Sequence, residues 1–385
     1  MESVHIFMKN HRDNIRQMKE NFGMIISLEQ QEAIKKLIDD AVSAGAFPCA
    51  SVLAGTKDTI LFEYRTGNKR VYPDAAPLDK DTLFDLASLT KVSATAPLAM
   101  VLTDKGILSL GDKVSDYLPQ FSADHTKDIR IGHLLTHTAG LASYIPLYKH
   151  CKSSEEAFDL ISKEGVCHPT GEQVIYSDLG FILAGRILEI AGGDTLDNLC
   201  KKYLYEPMGM EQTFFNPESD NTASTEKKPT STEYINGVVH DENARFFGGV
   251  SGHAGLFSNA EDIRKYAVML LSKGKINGTR ILSESAVSTM TRNYTRHLNE
   301  DRGIGWSVKT DRVPGTDSYA GAGGELTSVG SYGHTGFTGT SLWVDPHYGV
   351  YVICLTNRVH YGRENTKIIR FRRLLHNMIF AALEK

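Results

Sequence analysis

The sequence predicts an α+β fold: one antiparallel sheet assembled from both ends of the chain and flanked by terminal helices, with an all-helical domain inserted between its halves. Three observations carry this. An amphipathic helix and two β-rich runs open the ordered part of the chain, a long middle section is mainly helical, and three strand-like runs and a last helix close it. The boundaries that follow are an N-terminal extension over 1–26, a sheet domain from 27–75 plus 271–385, and a mainly helical domain over 76–270.

The residues justify each element in turn. Ser27 and Gln30 suit a capping box, Ile34, Leu37, Ile38 and Ala41 follow helical spacing, and Gly45 suits the stop. "CASVLAG" and "TILFEYRTG" then read as a hairpin joined by Gly-Thr-Lys-Asp. From about Asp81 to Leu270 helical pattern alternates with polar loops such as "NPESDNTASTEKKPTST", without an internal repeat. "GIGWSVK", "SLWVD" and "VYVICLTN" return to strand character, with "DPHYG" as a turn. In the closing helix Ile368, Phe371, Leu375, Met378, Ile379 and Ala382 form one face, and Arg363, Lys367, Arg370, Arg372 and Arg373 read as the solvated face.

Composition narrows the function classes. With 385 residues, 41% of them hydrophobic, the chain can bury at least one large core. A formal net charge of -4 gives no electrostatic footprint for nucleic acid or an anionic membrane. The five cysteines (Cys49, Cys151, Cys167, Cys200, Cys354) show no metal-finger spacing and read as reduced, mostly buried thiols, so no metal or cofactor is expected. No segment has a signal-peptide pattern or approaches the roughly 20 apolar residues of a membrane span, and the cytoplasm is the expected location.

Three stretches could carry chemistry. In "ASLTKV", Ser88 and Lys91 stand three apart, so on a helix the amine can reach the hydroxyl, which is a poor nucleophile without a neighbouring base. Such pairs also occur by chance: Ser224/Lys227 and Ser272/Lys275 have the same spacing, one in a Pro-flanked loop and the other across Gly274. In "VIYSDLGFILAG", Tyr176 and Asp178 flank a serine before an apolar helix. Tyr176 is either a proton shuttle or a core aromatic, and Asp178 either a site residue or an N-cap. In "GHTGFTGTSLWVD", His334, Thr335 and Gly336 open a Gly-rich approach to a strand, either an oxyanion-binding segment or a glycine-rich bulge.

Taken in order, S-x-x-K at Ser88, Y-S-D at Tyr176 and H-T-G at His334 resemble the motifs of the serine β-lactamase and penicillin-binding-protein superfamily. The class C β-lactamase-like branch, which also holds family VIII carboxylesterases, D-peptidases and related amidases, is the most similar. Supporting phrases are "LLTHTAGL", "PMGMEQT", "GGVSGHAGLFSNAEDI" and "LTNR". The resemblance implies a β-lactamase/transpeptidase-like fold with its active site in the cleft between sheet and helical domains. It implies that Ser88 attacks a carbonyl to form an acyl-enzyme, that Lys91 and Tyr176 share acid and base work, and that the N–H groups of Ser88 and Phe337 form the oxyanion hole. The expected substrate is a small or peptide-like amide or ester, as for a β-lactamase-like hydrolase, D-peptidase or muropeptide amidase. The alternatives are a carboxylesterase and a slowly acylated penicillin-binding sensor.

Two positions depart from the family pattern. His334 stands where lysine is most usual, which weakens the expected hold on a substrate carboxylate. Asp178 stands where asparagine is usual; it cannot donate a hydrogen bond unless protonated, but it can pair with Lys91, which would keep the lysine charged and make Tyr176 the base. "VVHDENARFFGG" reads either as a substrate-side loop or as a charged loop with internal hydrogen bonds. His253 is expected along the cleft and His137 is expected to hold local backbone.

Overall fold

The first helix, α1 (Leu28–Ser43), begins with the predicted capping box: the Ser27 side chain accepts from the Gln30 N–H and the Gln30 side chain accepts from the Ser27 N–H. Gly45 takes the left-handed conformation (φ +69°) that ends it. The computed structural model describes residues 24–228, 231–313 and 320–383, so residues 1–23 of the expected extension lie outside the described residues.

Strands β1 (Cys49–Gly55) and β2 (Ile60–Arg70) form the expected hairpin, and β3 (Ala76–Pro77) adds a short edge. The middle of the chain supplies three helices that matter for the site: α2 (Ala96–Asp104), α3 (Asp178–Gly192) and α4 (Ala260–Leu271). It also contains a three-stranded sheet of Phe84–Asp85, Leu256–Ser258 and Phe214–Phe215, too short to show a pattern in sequence. The last part gives β4 (Ser307–Val308), β5 (Tyr332–Thr335), β6 (Ser341–Asp345), β7 (Val350–Thr356) and the closing helix α5 (Lys367–Ala381).

The main sheet has the order β3-β2-β1-β7-β6-β5-β4 and is antiparallel throughout. Its centre joins the two ends of the chain, with Ala50 opposite Thr356 and Gly55 opposite Tyr351. Alternate residues of these strands point to opposite faces. Val52, Val352 and Cys354 pack with Ile34, Ile38, Phe371 and Ile379 of the terminal helices, while Leu53, Tyr351 and Ile353 join the larger core with α2, α3 and α4. Covering both faces explains why the two central strands are buried along their whole length.

One sequence expectation is corrected at α5. Arg363 lies before the helix, and Arg372 is buried rather than solvated because its guanidinium reaches the carbonyls of Gly336 and Thr340 behind the H-T-G segment. The apolar face is as expected, with Ile368, Phe371, Leu375 and Ile379 buried. All five cysteines are free thiols, and only Cys167 is exposed.

Candidate active site

The polypeptide enters the site through a tight turn. After the Phe84–Asp85 strand, Ala87 adopts φ +46°, a left-handed conformation that costs an alanine about 1 kcal/mol. Buried Asp85 holds it there, accepting the Ala87 N–H at 2.8 Å and the His240 N–H at 2.6 Å. The turn delivers Ser88 to the start of a helix that runs through a widened π segment, Lys91–Thr95, into α2. The partial positive charge of that helix start therefore faces the Ser88 hydroxyl.

One turn on, Lys91 is completely buried. Its Nζ donates to Ser88 Oγ at 2.9 Å and to the His253 carbonyl at 3.1 Å. Asp178 Oδ1 lies 2.7 Å from Nζ as an ion pair without hydrogen-bond alignment. Burial pushes the Lys91 ammonium down, but the charges of Asp178 and Tyr176 push it up, and the net is above the ordinary lysine value. Lys91 is thus cationic at neutral pH.

The Y-S-D segment sits where a loop enters α3. Ser177, not Asp178, is the N-cap: its hydroxyl accepts the Gly180 N–H, which leaves the Asp178 carboxylate to meet Lys91. His137, at φ +61°, accepts the Ser177 N–H on Nδ1 and packs on the Tyr176 ring at 4.7 Å, so it does hold backbone. The Tyr176 ring has the Lys91 ammonium 4.9 Å and the Arg302 guanidinium 5.3 Å from its centroid.

The H-T-G segment is the end of β5 and the turn after it. His334 is buried and donates from Nδ1 to the Thr335 carbonyl at 2.8 Å. Burial, with Lys91 and Arg302 nearby, holds its imidazole well below the usual histidine range, so it is neutral. Gly336 donates to the Thr340 carbonyl at 2.7 Å and accepts from Gly339 at 3.0 Å, closing a tight turn around Phe337. Thr338 and Thr340 hydroxyls donate across to the carbonyls of Asp85 and Leu86, at 2.7 and 2.9 Å. These two bonds fix the Phe337 turn against the Ser88 turn.

Six of the expected site residues line one cavity of about 240 Å³: Ser88, Tyr176, His334, Thr335, Gly336 and Phe337. Lys91 and Asp178 lie behind it. Among the described residues neither the Ser88 N–H nor the Phe337 N–H has an acceptor. A larger hollow of about 760 Å³, bounded by Thr56, Leu271, Tyr332 and Tyr348, shares no residue with this cavity. No three His, Cys, Asp or Glu side chains among the described residues converge as metal ligands.

Some residues depart from their sequence reading. His253 does not line the cavity; its ring is tied to Ser251 at 2.9 Å and Asp241 at 2.8 Å, and only its carbonyl faces the site through Lys91. Asp241 caps a short helix, Glu242–Phe246, so the "HDENA" stretch follows the reading of internal hydrogen bonds. Sequence reasoning did not single out Asp85, Thr338, Thr340, Arg358 or Arg372. Arg358 fell within "LTNR", the signal that could have found it.

The profile of the Beta-lactamase family matches residues 34–377. The chain belongs to the beta-lactamase family. Among curated relatives of this family member, N-acetylmuramyl-L-alanine amidase of Bacillus subtilis (strain 168) is 30% identical over 87% of this chain and 82% of its own length. A putative D-alanyl-D-alanine carboxypeptidase of Escherichia coli (strain K12) is 29% identical over 87% of this chain and 83% of its own. The fold is also that of EstCE1, a hydrolase with promiscuous acyltransferase activity (TM-score 0.73, 22% identity, 92% of this chain and 100% of that one). A class C beta-lactamase superposes with TM-score 0.72 at 19% identity, over 90% of this chain and 96% of that one. These findings make the protein a serine hydrolase of β-lactamase/transpeptidase-like fold. Among its described residues, no helix is long and apolar enough to cross a membrane.

Proposed function

We propose that this family member hydrolyses an amide bond in a small peptide-like substrate, of the muropeptide amidase or D-peptidase type, through an acyl-enzyme on Ser88. The observation that carries this is the single cavity in which the Ser88 hydroxyl meets two unengaged N–H groups, its own and that of Phe337. Ser88 Oγ attacks the carbonyl carbon, and the carbonyl oxygen gains negative charge between those donors. Lys91, held cationic beside Asp178, is a poor base; it stabilises negative charge, and Tyr176 takes the Ser88 proton and passes it to the leaving nitrogen. The amine departs, water attacks the ester, and Ser88 is regenerated. His334, Thr335 and Gly336 present backbone and a neutral ring to the substrate. The amide reading over other acyl chemistry is supported by the relative named an amidase, at 30% identity.

The neutral His334 favours a second reading, a carboxylesterase, because the third motif supplies no cation for a substrate carboxylate. The test is intact-protein mass spectrometry over time. Wild type and Ser88→Ala are each exposed to a muramyl-peptide, a short-chain chromogenic ester and a penicillin. An adduct confined to wild type that forms as the amine portion of the muramyl-peptide is released, and decays with release of the acyl portion as its free acid, supports the amidase. Turnover of the ester alone selects the second reading, an adduct that persists means a sensor, and adducts on Ser88→Ala would overturn the assignment of Ser88.

A further inference from the structure

Two stretches that do not line the Ser88 cavity, 240–243 and 251–253, meet beside Lys91. The His253 ring, 1% exposed, bridges Ser251 on Nδ1 at 2.9 Å and Asp241 on Nε2 at 2.8 Å. An ionised carboxylate only accepts, so Nε2 is the donor of the second bond. The same Asp241 oxygen also accepts the Ala244 N–H at 2.7 Å. Both ring nitrogens are engaged, and the ring is held from two sides. The main chain of this residue carries the carbonyl that accepts Lys91 Nζ at 3.1 Å.

Residues 251–255 belong to no helix or strand, so no ladder fixes the direction of that carbonyl. Thr95 holds the neighbouring Gly252 carbonyl at 2.6 Å, and His253 is tethered by its own ring. The stretch that holds the ring also reaches the other reacting groups. His240 donates its N–H at 2.6 Å to Asp85, the carboxylate that fixes the Ala87 turn before Ser88. Asn243, fully buried, donates from Nδ2 to the Ile145 carbonyl at 2.8 Å. In the same loop the Ser143 carbonyl accepts the Asp178 N–H at 3.0 Å.

We propose that Asp241, acting through the His253 ring, is a positioning residue for Lys91. Residues 240–243 then brace three groups of the site at once: Ser88 through Asp85, Lys91 through His253, and Asp178 through the Ser143–Ile145 loop. A lysine amine rides on a flexible four-carbon stem. Asp178 pairs with it without hydrogen-bond alignment, so the aim of the amine at Ser88 depends on its bond to the His253 carbonyl. With the ring cut loose the carbonyl turns away, the ammonium loses an acceptor, and its charged form is less favoured. The proposal rests on the Ser88 reading for what Lys91 does to a substrate; the titration of Lys91 does not require it.

The test is an NMR titration of Lys91 in the full-length protein carrying ¹³C-labelled lysine, with the Lys91 Cε signal assigned by Lys91→Arg. His253→Ala is expected to lower the proton affinity of Lys91 about tenfold, the worth of one hydrogen bond to a charged group. His253→Gln, whose side-chain amide can still reach Asp241, is expected to stay within about twofold of wild type. The titratable groups that feel the Lys91 charge, Asp178, Tyr176, His137, His334 and Asp241, are unchanged in these variants. His253→Asn is too short to span to Asp241 and should behave as His253→Ala; it decides alone if His253→Ala does not fold. A wild-type midpoint in the folded Ala or Asn variant, or a Gln variant that shifts as far as they do, overturns the proposal. The two readings fail separately. A midpoint that follows the ring in a protein whose Ser88 never acylates sinks the catalytic assignment, and acylated Ser88 with a midpoint indifferent to the ring sinks the positioning role.

Discussion

The Lys91 ammonium lies 2.7 Å from an Asp178 carboxylate oxygen while donating at 2.9 Å to the Ser88 hydroxyl. Burial works against the lysine charge and Asp178 works for it, and the balance keeps the group above its ordinary value. A raised lysine contributes stability that is fully present below its unfolded value and lost only as pH rises through the folded one, so this pair is intact across neutral pH. Asp178→Asn leaves burial unopposed by its main counter-charge. The alkaline limb of the kcat/KM profile should then move to lower pH, and stability should fall by about 2 kcal/mol, less than for a fully buried pair because the Asp178 side chain is 21% exposed. An unchanged profile and an unchanged denaturation midpoint would together contradict this account.

Gly336 sits where a Cβ would lie 2.3 Å from the Leu86 carbonyl and 2.1 Å from the Thr340 hydroxyl. Gly336→Ala must push the Phe337 turn away from the Ser88 turn. If the Phe337 N–H stabilises a developing oxyanion, kcat should drop about 10²-fold with little change in KM. Steady-state kinetics on any accepted substrate give the answer, and a rise in KM alone would point to lost binding instead.

Thr340 donates to the Leu86 carbonyl at 2.9 Å, and Thr340→Val removes that bond with little change of shape. The expected cost is about 1 kcal/mol of stability and a several-fold lower kcat. Wild-type kcat in a correctly folded variant would show that the tie between the two turns is dispensable.

Glu226 accepts from His240 at 2.8 Å and from Arg363 at 2.7 Å. His240 chiefly, and Arg363 against the cost of burial, hold its carboxyl down at about 2. A depressed carboxylate contributes stability above its unfolded value, near 4.5, that is lost as pH falls towards 2. After discounting for solvent, Glu226→Gln should cost about 1 kcal/mol at pH 7. Thermal melts of the two proteins should differ by a few degrees at pH 7 and converge near pH 2.5; a constant gap would show that the effect is not electrostatic.

The fold was legible where periodicity was long and two-sided. The capping box at Ser27, the hairpin of Cys49–Gly55 and Ile60–Arg70, and the run Val350–Thr356 all follow from local pattern. Strands of two or three residues, such as Phe84–Asp85, carry no periodic signal and were read as part of a helical region. At the site, the three motifs marked the residues that line the cavity, because each motif is a chemical group on a fixed turn. The supporting residues were not marked. Arg372 looks like any basic residue on an amphipathic helix, and only the return of the Gly336 turn beneath α5 makes it internal. Asp178 was correctly paired with Lys91 as one alternative, but that Ser177 would cap α3 and free the carboxylate depended on backbone geometry at one residue.

The pairing of β1 with β7 also governs when the protein becomes itself during synthesis. Cys49 and Asn357, joined by a hydrogen bond at that seam, are 308 residues apart in sequence. The segments that carry Ser88, Lys91 and Tyr176 leave the ribosome long before β5, β6 and β7 do. A nascent chain therefore carries the Ser88 hydroxyl with no Phe337 turn opposite it, and the free edge of β1, already paired with β2 on its other side, waits for a partner still being made. The cavity around Ser88 is complete only when the final strands have been translated and β7 has docked beside β1 in the middle of the sheet.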